Sequence, residues 1–238
     1  MKKDFIEGEI IGIDKPLGWT SFDAVKRLRG ALHRKLHIKK FKVGHAGTLD
    51  PLATGVLIVC TGRATKRIEE LQAGMKEYIA DITLGSTTPS FDLETEIDAH
   101  YPYQHITEEM ILRTLPDFTG KLMQVPPVFS AVKVDGKRAY SYARKGNEVT
   151  LKAKPLEIRE LELLSFEPPL MRVRVLCSKG TYIRALARDL GEALGSGGHL
   201  TALRRTRVGD ITVEKCLSLD SALQMIADAE IPETTETN

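Results

Sequence analysis

Val43-Gly-His-Ala-Gly-Thr-Leu-Asp-Pro-Leu-Ala-Thr-Gly55 is a glycine-rich loop that runs into an apolar strand, Val56 to Cys60. Three glycines and an Asp-Pro step between a polar stretch and that strand describe a constrained loop. Its one carboxylate is Asp50. Taken alone, Asp before Pro reads first as a turn starter, and a chemical role stands beside that simpler reading.

Outward from the loop, charge is unevenly spread. Between Asp23 and Asp50 there is no acid, while eight basic residues lie from Lys26 to Lys42. A second basic cluster holds Arg172, Arg174, Lys179, Arg184, Arg188, Arg204, Arg205 and Arg207. Acids gather in Asp92-Leu-Glu-Thr-Glu-Ile-Asp98 and in the tail, so a formal charge of only +2 still permits a basic face suited to a polyanion.

The elements around the loop follow from periodicity and end signals. Gly8 to Ile13 reads as a strand and Asp14-Lys-Pro-Leu-Gly18 as a turn. Thr20 and Asp23 form a capping box, and the helix behind them places Phe22, Val25, Leu28, Leu32 and Leu36 on one stripe. Ala64 to Leu71 reads as a helix, and Tyr78, Ala80, Ile82 and Leu84 alternate along a strand from Lys76 to Gly85. Thr107 starts a helix, and Asp135-Gly136 marks a hairpin that a basic, aromatic segment follows, ended by Gly146. Two strands, 156–166 and 171–177, lead through a glycine turn to a helix from Tyr182 to Leu194. A strand over 199–213 and a helix capped by Ser218 or Asp220 complete the chain. Strands and helices mix without regular alternation, which predicts an α+β fold on a mixed, mostly antiparallel sheet.

Several chemistries lack their signatures. Cys60, Cys177 and Cys216 form no CxxC pair, which argues against a disulfide framework or a zinc site, and the six histidines show no metal-ligand spacing. No phosphate-binding glycine loop, metalloprotease helix or nucleophile elbow is present. No apolar run approaches the ~18 residues of a membrane span, and Met1-Lys-Lys-Asp-Phe5 is followed by no secretory apolar stretch. A cytoplasmic protein is the expectation, and nothing requires more than a monomer. One further constellation remains, Cys177-Ser-Lys-Gly-Thr-Tyr-Ile-Arg184, in which Tyr182 and Arg184 fall in a helix's first turn. On local grounds Tyr182 is equally a core residue and Arg184 a surface charge.

Together the pieces carry a resemblance. Gly44-His-Ala-Gly-Thr-Leu-Asp-Pro-Leu-Ala-Thr-Gly55 resembles the signature of the TruB family of tRNA pseudouridine synthases. Asp14-Lys-Pro-Leu-Gly-Trp-Thr-Ser21, Lys76-Glu-Tyr78, Val125-Pro-Pro-Val-Phe-Ser-Ala-Val-Lys133, Cys177 to Arg184 and Leu203-Arg-Arg-Thr-Arg-Val-Gly209 follow in family order. The resemblance implies isomerisation of the T-loop uridine at position 55 of tRNA, with no cofactor and no metal. It places the essential carboxylate at Asp50, a charged partner at Arg184, and the stacking ring, a candidate base, at Tyr78. It puts Tyr182, His45, Lys15 and Leu203 among the substrate contacts, with the basic helix after Lys15 on phosphates. It implies a catalytic domain over 1–215 with a thumb-like hairpin and helix at about 130–153. A short helix and disordered tail over 216–238 are expected, without the C-terminal PUA module of larger members. The rival readings are a tRNA-folding chaperone and an RNA-binding protein with incidental catalysis.

Overall fold

The computed structural model describes residues 3–130 and 150–230, with the backbone of 133–134 and 137–138. In chain order its elements begin β1 (Ile10–Lys15), α1 (Ser21–Leu36), β2 (Val43–His45), β3 (Ala53–Thr61), α2 (Ile68–Ala73), β4 (Lys76–Leu84), β5 (Ser86–Thr87) and β6 (Ala99–His100). They continue α3 (Glu108–Thr114), β7 (Gly120–Gln124), β8 (Lys133–Val134), β9 (Lys137–Arg138), β10 (Lys154–Glu167) and β11 (Leu170–Cys177). The last are α4 (Ile183–Ala193), β12 (Gly198–Val208), β13 (Ile211–Thr212), β14 (Leu217–Ser218) and α5 (Leu219–Asp228). They gather into two compact units, Met1–Met75 with Arg204–Asn238, and Lys76–Leu203. Strand β12 contributes to both. Among the described residues no helix is long and apolar enough to cross a membrane.

In the first unit the strand order is β14-β1-β3-β12, with β2 on β3 and β13 on β12. β1 runs antiparallel to β3 and parallel to β14. Strand β3 is apolar at nearly every position because both its faces are covered. Leu57 and Val59 face a core shared with α1 and α5, whereas Val56, Ile58 and Cys60 belong to a second cluster with Ile68 and Leu71. Helix α1 starts at the expected capping box, in which the Thr20 hydroxyl accepts from the Asp23 N–H and the Asp23 carboxylate accepts from the Thr20 N–H. Its buried side is Ser21, Ala24, Val25, Leu28 and Leu32. Phe22, expected on that stripe, is 61% exposed. At 100° per residue it falls well to one side of the line through Val25, Leu28 and Leu32, and Ser21 takes the central place. Helix α5, capped by Ser218, sends Leu219, Ala222 and Ile226 into the same core. It is part of the first unit rather than an appendage.

In the second unit the order is β12-β4-β11-β10-β7. Strands β4, β11, β10 and β7 pair antiparallel, and Lys76, Tyr78, Ala80, Ile82 and Leu84 form the buried side of β4. The expected α+β class on a mixed, mostly antiparallel sheet is what the chain adopts. Helix α4 buries Ile183, Leu186, Leu190 and Leu194 as its spacing predicts, and Gly195 beyond it has φ +69°. Strands β8 and β9 pair antiparallel, Lys133 with Arg138 and Val134 with Lys137, while the expected Asp135-Gly136 turn lies outside the described residues. The helix expected after it and the acidic tail lie outside the described residues.

The second basic cluster is not the free face that the sequence suggests. Arg172 donates twice to Asp81, and Arg174 is bonded to Glu77, Glu160 and Glu162. Arg188 meets Asp189, and Arg204 meets Asp14. Neighbouring strands bring carboxylates far away in sequence onto the same face, where cross-strand ion pairs form. Replacing Thr20 with Ala should remove half of the α1 capping box and cost about 1 kcal/mol of unfolding free energy in chemical denaturation.

Candidate active site

The loop between β2 and β3 carries Asp50 and is held from three directions. Buried Ser21, at the first turn of α1, accepts from the Leu49 N–H at 2.8 Å and donates to the Leu49 carbonyl at 3.1 Å. Pro51 has no N–H to give, but its carbonyl accepts from the Gly18 N–H at 2.9 Å. The Ala53 N–H returns to the Asp50 carbonyl at 3.1 Å, so the Asp-Pro step does start a turn. The turn-starting and chemical readings of Asp50 are therefore compatible.

Two buried cations complete the support. Arg205 is 1% exposed, and its guanidinium donates to the carbonyls of Val56 (2.8 Å), Gly47 (3.1 Å) and Thr48 (3.3 Å). A planar fork of five donors suits three carbonyls of one irregular segment better than a single ammonium could. The backbone of β12 also packs directly on Gly55, whose φ is +100° and whose added Cβ would collide with the Arg205 carbonyl oxygen. Only glycine fits there.

Lys15 was expected to meet phosphate. Instead it is wholly buried, with Nζ donating to the carbonyls of Trp19 (2.6 Å), Pro16 (2.9 Å) and Pro51 (3.4 Å). The ammonium ties the turn after β1 to the Asp50 loop, and nothing of it reaches solvent. Loss of water pulls its pKa down to about 8; nearby Asp50 opposes that fall, and Arg205 adds to it. His45, at the end of β2, is held below the ordinary imidazole range by burial and by the Arg205 charge. Its ring is therefore neutral at physiological pH, and Nδ1 is buried without a hydrogen-bond partner among the described residues.

The remaining expected residues lie in the second unit. Tyr78 is buried on β4 opposite Val175 of β11. Tyr182 is the N-cap residue of α4, and the Gln124 side chain clasps its backbone. The amide oxygen accepts from the Tyr182 N–H at 2.9 Å, and the amide nitrogen donates to the Tyr182 carbonyl at 3.1 Å. Arg184 is no surface charge: it is 4% exposed, donates to the Ser90 carbonyl at 3.3 Å and lies 3.6 Å from the Asp92 carboxylate. A cation in the first turn of a helix opposes the helix dipole, and the buried Asp92 compensates it. Leu203 is half-buried on β12.

Thus the structure gathers Lys15, His45 and Asp50 in the first unit, and Tyr78, Tyr182, Arg184 and Leu203 in the second. Sequence reasoning missed Ser21, Gln124, Asp92 and the role of Arg205. The last two were visible only as members of an acidic and a basic cluster, and Ser21 and Gln124 belong to no periodic pattern.

A model of the TruB family pseudouridylate synthase N-terminal domain matches residues 33–183, and one of the tRNA pseudouridylate synthase B C-terminal domain matches 184–235. The chain is 63% identical to a tRNA pseudouridine synthase B of Phocaeicola vulgatus, over 97% of this chain and 98% of that one. With that of Bacteroides thetaiotaomicron it shares 59% identity, covering 99% and 100%. Among solved structures it resembles a chain of a Cbf5-Nop10-Gar1 complex, at TM-score 0.69 and 29% identity over 92% of its length. It spans 54% of that longer chain. The fold is therefore that of the pseudouridine synthases. Within that class, the chain belongs to the TruB family.

The buried Lys15 gives a pH signature. Between pH 8 and 10.5 the folded lysine has lost its proton while the unfolded one keeps it, so the unfolded state binds more protons and stability rises with pH. Below about pH 8 the folded state bears the full cost of the buried ammonium. In denaturant titrations, the stability difference between wild type and Lys15→Met should move toward wild type across that window, by up to about 3 kcal/mol. A constant difference would show that the lysine is not perturbed.

Proposed function

We propose that this protein isomerises the T-loop uridine at position 55 of tRNA to pseudouridine, with Asp50 as the essential carboxylate. The observation that carries the reading is the preorganised Asp50 loop, held by Ser21, Lys15 and Arg205, in a chain whose close relatives are named tRNA pseudouridine synthase B. Such rigidity is needed where one carboxylate must meet one carbon of a flipped nucleotide.

The reaction breaks the N1–C1′ bond, turns the uracil and joins C5 to C1′. The C5 proton leaves and N1 gains one, so no electrons are transferred and no co-reactant is consumed. Asp50 acts either as a nucleophile at C1′ or as the base that takes the 2′ proton. Arg184 is its proposed charge partner, oriented by Asp92 and Ser90; a guanidinium fork can serve several acceptors at once. Turning the base out of its stack costs a few kcal/mol. The Tyr78 ring offsets this by stacking on the uracil, worth ~1–3 kcal/mol. The same reading makes Tyr182, His45 and Leu203 contacts of the substrate. Neutral His45, with its buried unpartnered nitrogen, suits the gap that the flipped base leaves.

Incubation with a uridine-containing T-arm hairpin, followed by chemical detection of pseudouridine, tests the reading. Wild type should convert the hairpin, and Asp50→Asn should bind it without converting it. Pseudouridine formed by Asp50→Asn would refute the mechanism. Arg184→Ala should lower both turnover and stability, by ~3–5 kcal/mol, because the buried Asp92 carboxylate loses its partner. Tyr78→Phe should outperform Tyr78→Leu if the ring alone matters; equal loss in both would assign the hydroxyl a chemical role.

A further inference from the structure

An open concavity of about 520 Å³ runs along α1 in the first unit, lined by Gly18, Trp19, Lys26, Arg27, Gly30 and Arg34. Three of its properties converge. The first is charge: Arg27 and Arg34 have no acidic partner among the described residues, while Lys26 lies within electrostatic reach of Asp23, also on the wall, whose carboxylate is engaged by Thr20 in the capping box. The second is an aromatic surface. Trp19 is 36% exposed, yet its backbone is fixed, because its carbonyl accepts from the buried Lys15 ammonium.

The third property is Gly30. It lies in the middle of a 16-residue helix, where glycine is disfavoured relative to alanine. Its backbone does not call for it, since Gly30 is not among the positive-φ residues. Packing does not call for it either, since an added Cβ would approach nothing closer than Arg34 Nη1 at 3.8 Å. What the missing side chain preserves is the open space itself.

A void of ligand size beside an exposed indole, two unpaired guanidinium groups and the Lys26 ammonium has the makings of a nucleotide site. Bases stack on aromatic faces without regard to sequence, and cations take the phosphates on either side. An acidic protein segment would use the cations but leave the indole and the void unexplained. The site adjoins the catalytic loop, because the Gly18 N–H is bonded to the Pro51 carbonyl. We propose that Trp19 and the basic face of α1 form a second nucleotide subsite, which takes an unpaired nucleotide of the RNA whose uridine is turned over at Asp50. This rests on the proposed function and extends it from one base to two.

Trp19 is the sole tryptophan of the chain, so its emission reports on the subsite directly. In the Asp50→Asn protein, titration with a T-arm hairpin should quench that emission, saturating at the Kd found from the anisotropy of labelled RNA. Gly30→Leu fills the void without changing charge. In the same background it should hold or raise the melting temperature while weakening RNA binding by about tenfold or more. Trp19→Leu should weaken binding by roughly five- to a hundredfold, the range of one lost stacking contact. Arg34→Gln should weaken it too, and make its salt dependence shallower by about one counterion. Binding seen by anisotropy with no change in emission would overturn the subsite, as would Gly30→Leu or Trp19→Leu binding as tightly as the parent. Quenching by free uridine monophosphate but not by the hairpin would overturn its assignment to RNA. Failure of the wild type to form pseudouridine on the same hairpin would instead overturn the proposed function, since the binding measurements need no turnover.

Discussion

The arrangement of the first unit depends on how two buried cations hold one irregular loop. Seven residues separate β2 from β3, and their carbonyls have no ladder partners of their own. Arg205 and Lys15 supply those donors from below and from the side, reaching Gly47, Thr48 and Pro51. Buried backbone carbonyls must be satisfied, and an ionised donor makes the shorter, stronger bond. The cost is two desolvated charges, and the Asp50 carboxylate lies within electrostatic reach of Lys15. The Asp50 carboxylate thus helps to balance the charge of its own scaffold.

Charge is handled differently in the two units. In the second, Arg172 and Arg174 are matched by carboxylates on adjacent strands, and Arg184 by Asp92. The exposed pairs contribute little to stability individually, but they cancel a positive field on that sheet face. Along α1, by contrast, Arg27 and Arg34 have no acidic partner among the described residues, and the one acid of the helix, Asp23, is engaged by its own cap. Charge left uncancelled along that helix gives direction to a chain whose formal net charge is only +2.

Much of this was legible in the sequence, and what was not has a common cause. Elements with local signals stood where expected: the Thr20 capping box, the alternation through Tyr78 to Leu84, and the spacing of Ile183, Leu186 and Leu190. Phe22 was misplaced because a hydrophobic stripe read from residue type cannot register that a serine occupies its centre. Lys15 was expected to contact substrate and Arg205 to belong to a basic cluster, because lysine and arginine are so seldom buried. Their burial depends on carbonyls presented by a loop distant in sequence, as does the clasp of Gln124 on Tyr182. The resemblance of motifs singles out a set of residues, and the packing shows which of them are buried and what holds each.

The division of the chain also bears on how the protein is made. The second unit is continuous, Lys76–Leu203, whereas the first is assembled from both ends of the sequence. Asp50 leaves the ribosome 155 residues before Arg205, roughly 8 to 30 s at ordinary rates of synthesis. Through that interval β3 lacks its β12 neighbour, and the Asp50 loop lacks the guanidinium that holds it. A nascent or truncated chain therefore has the acid but not its geometry. The loop reaches that geometry only after β12 has been translated and has paired with β3.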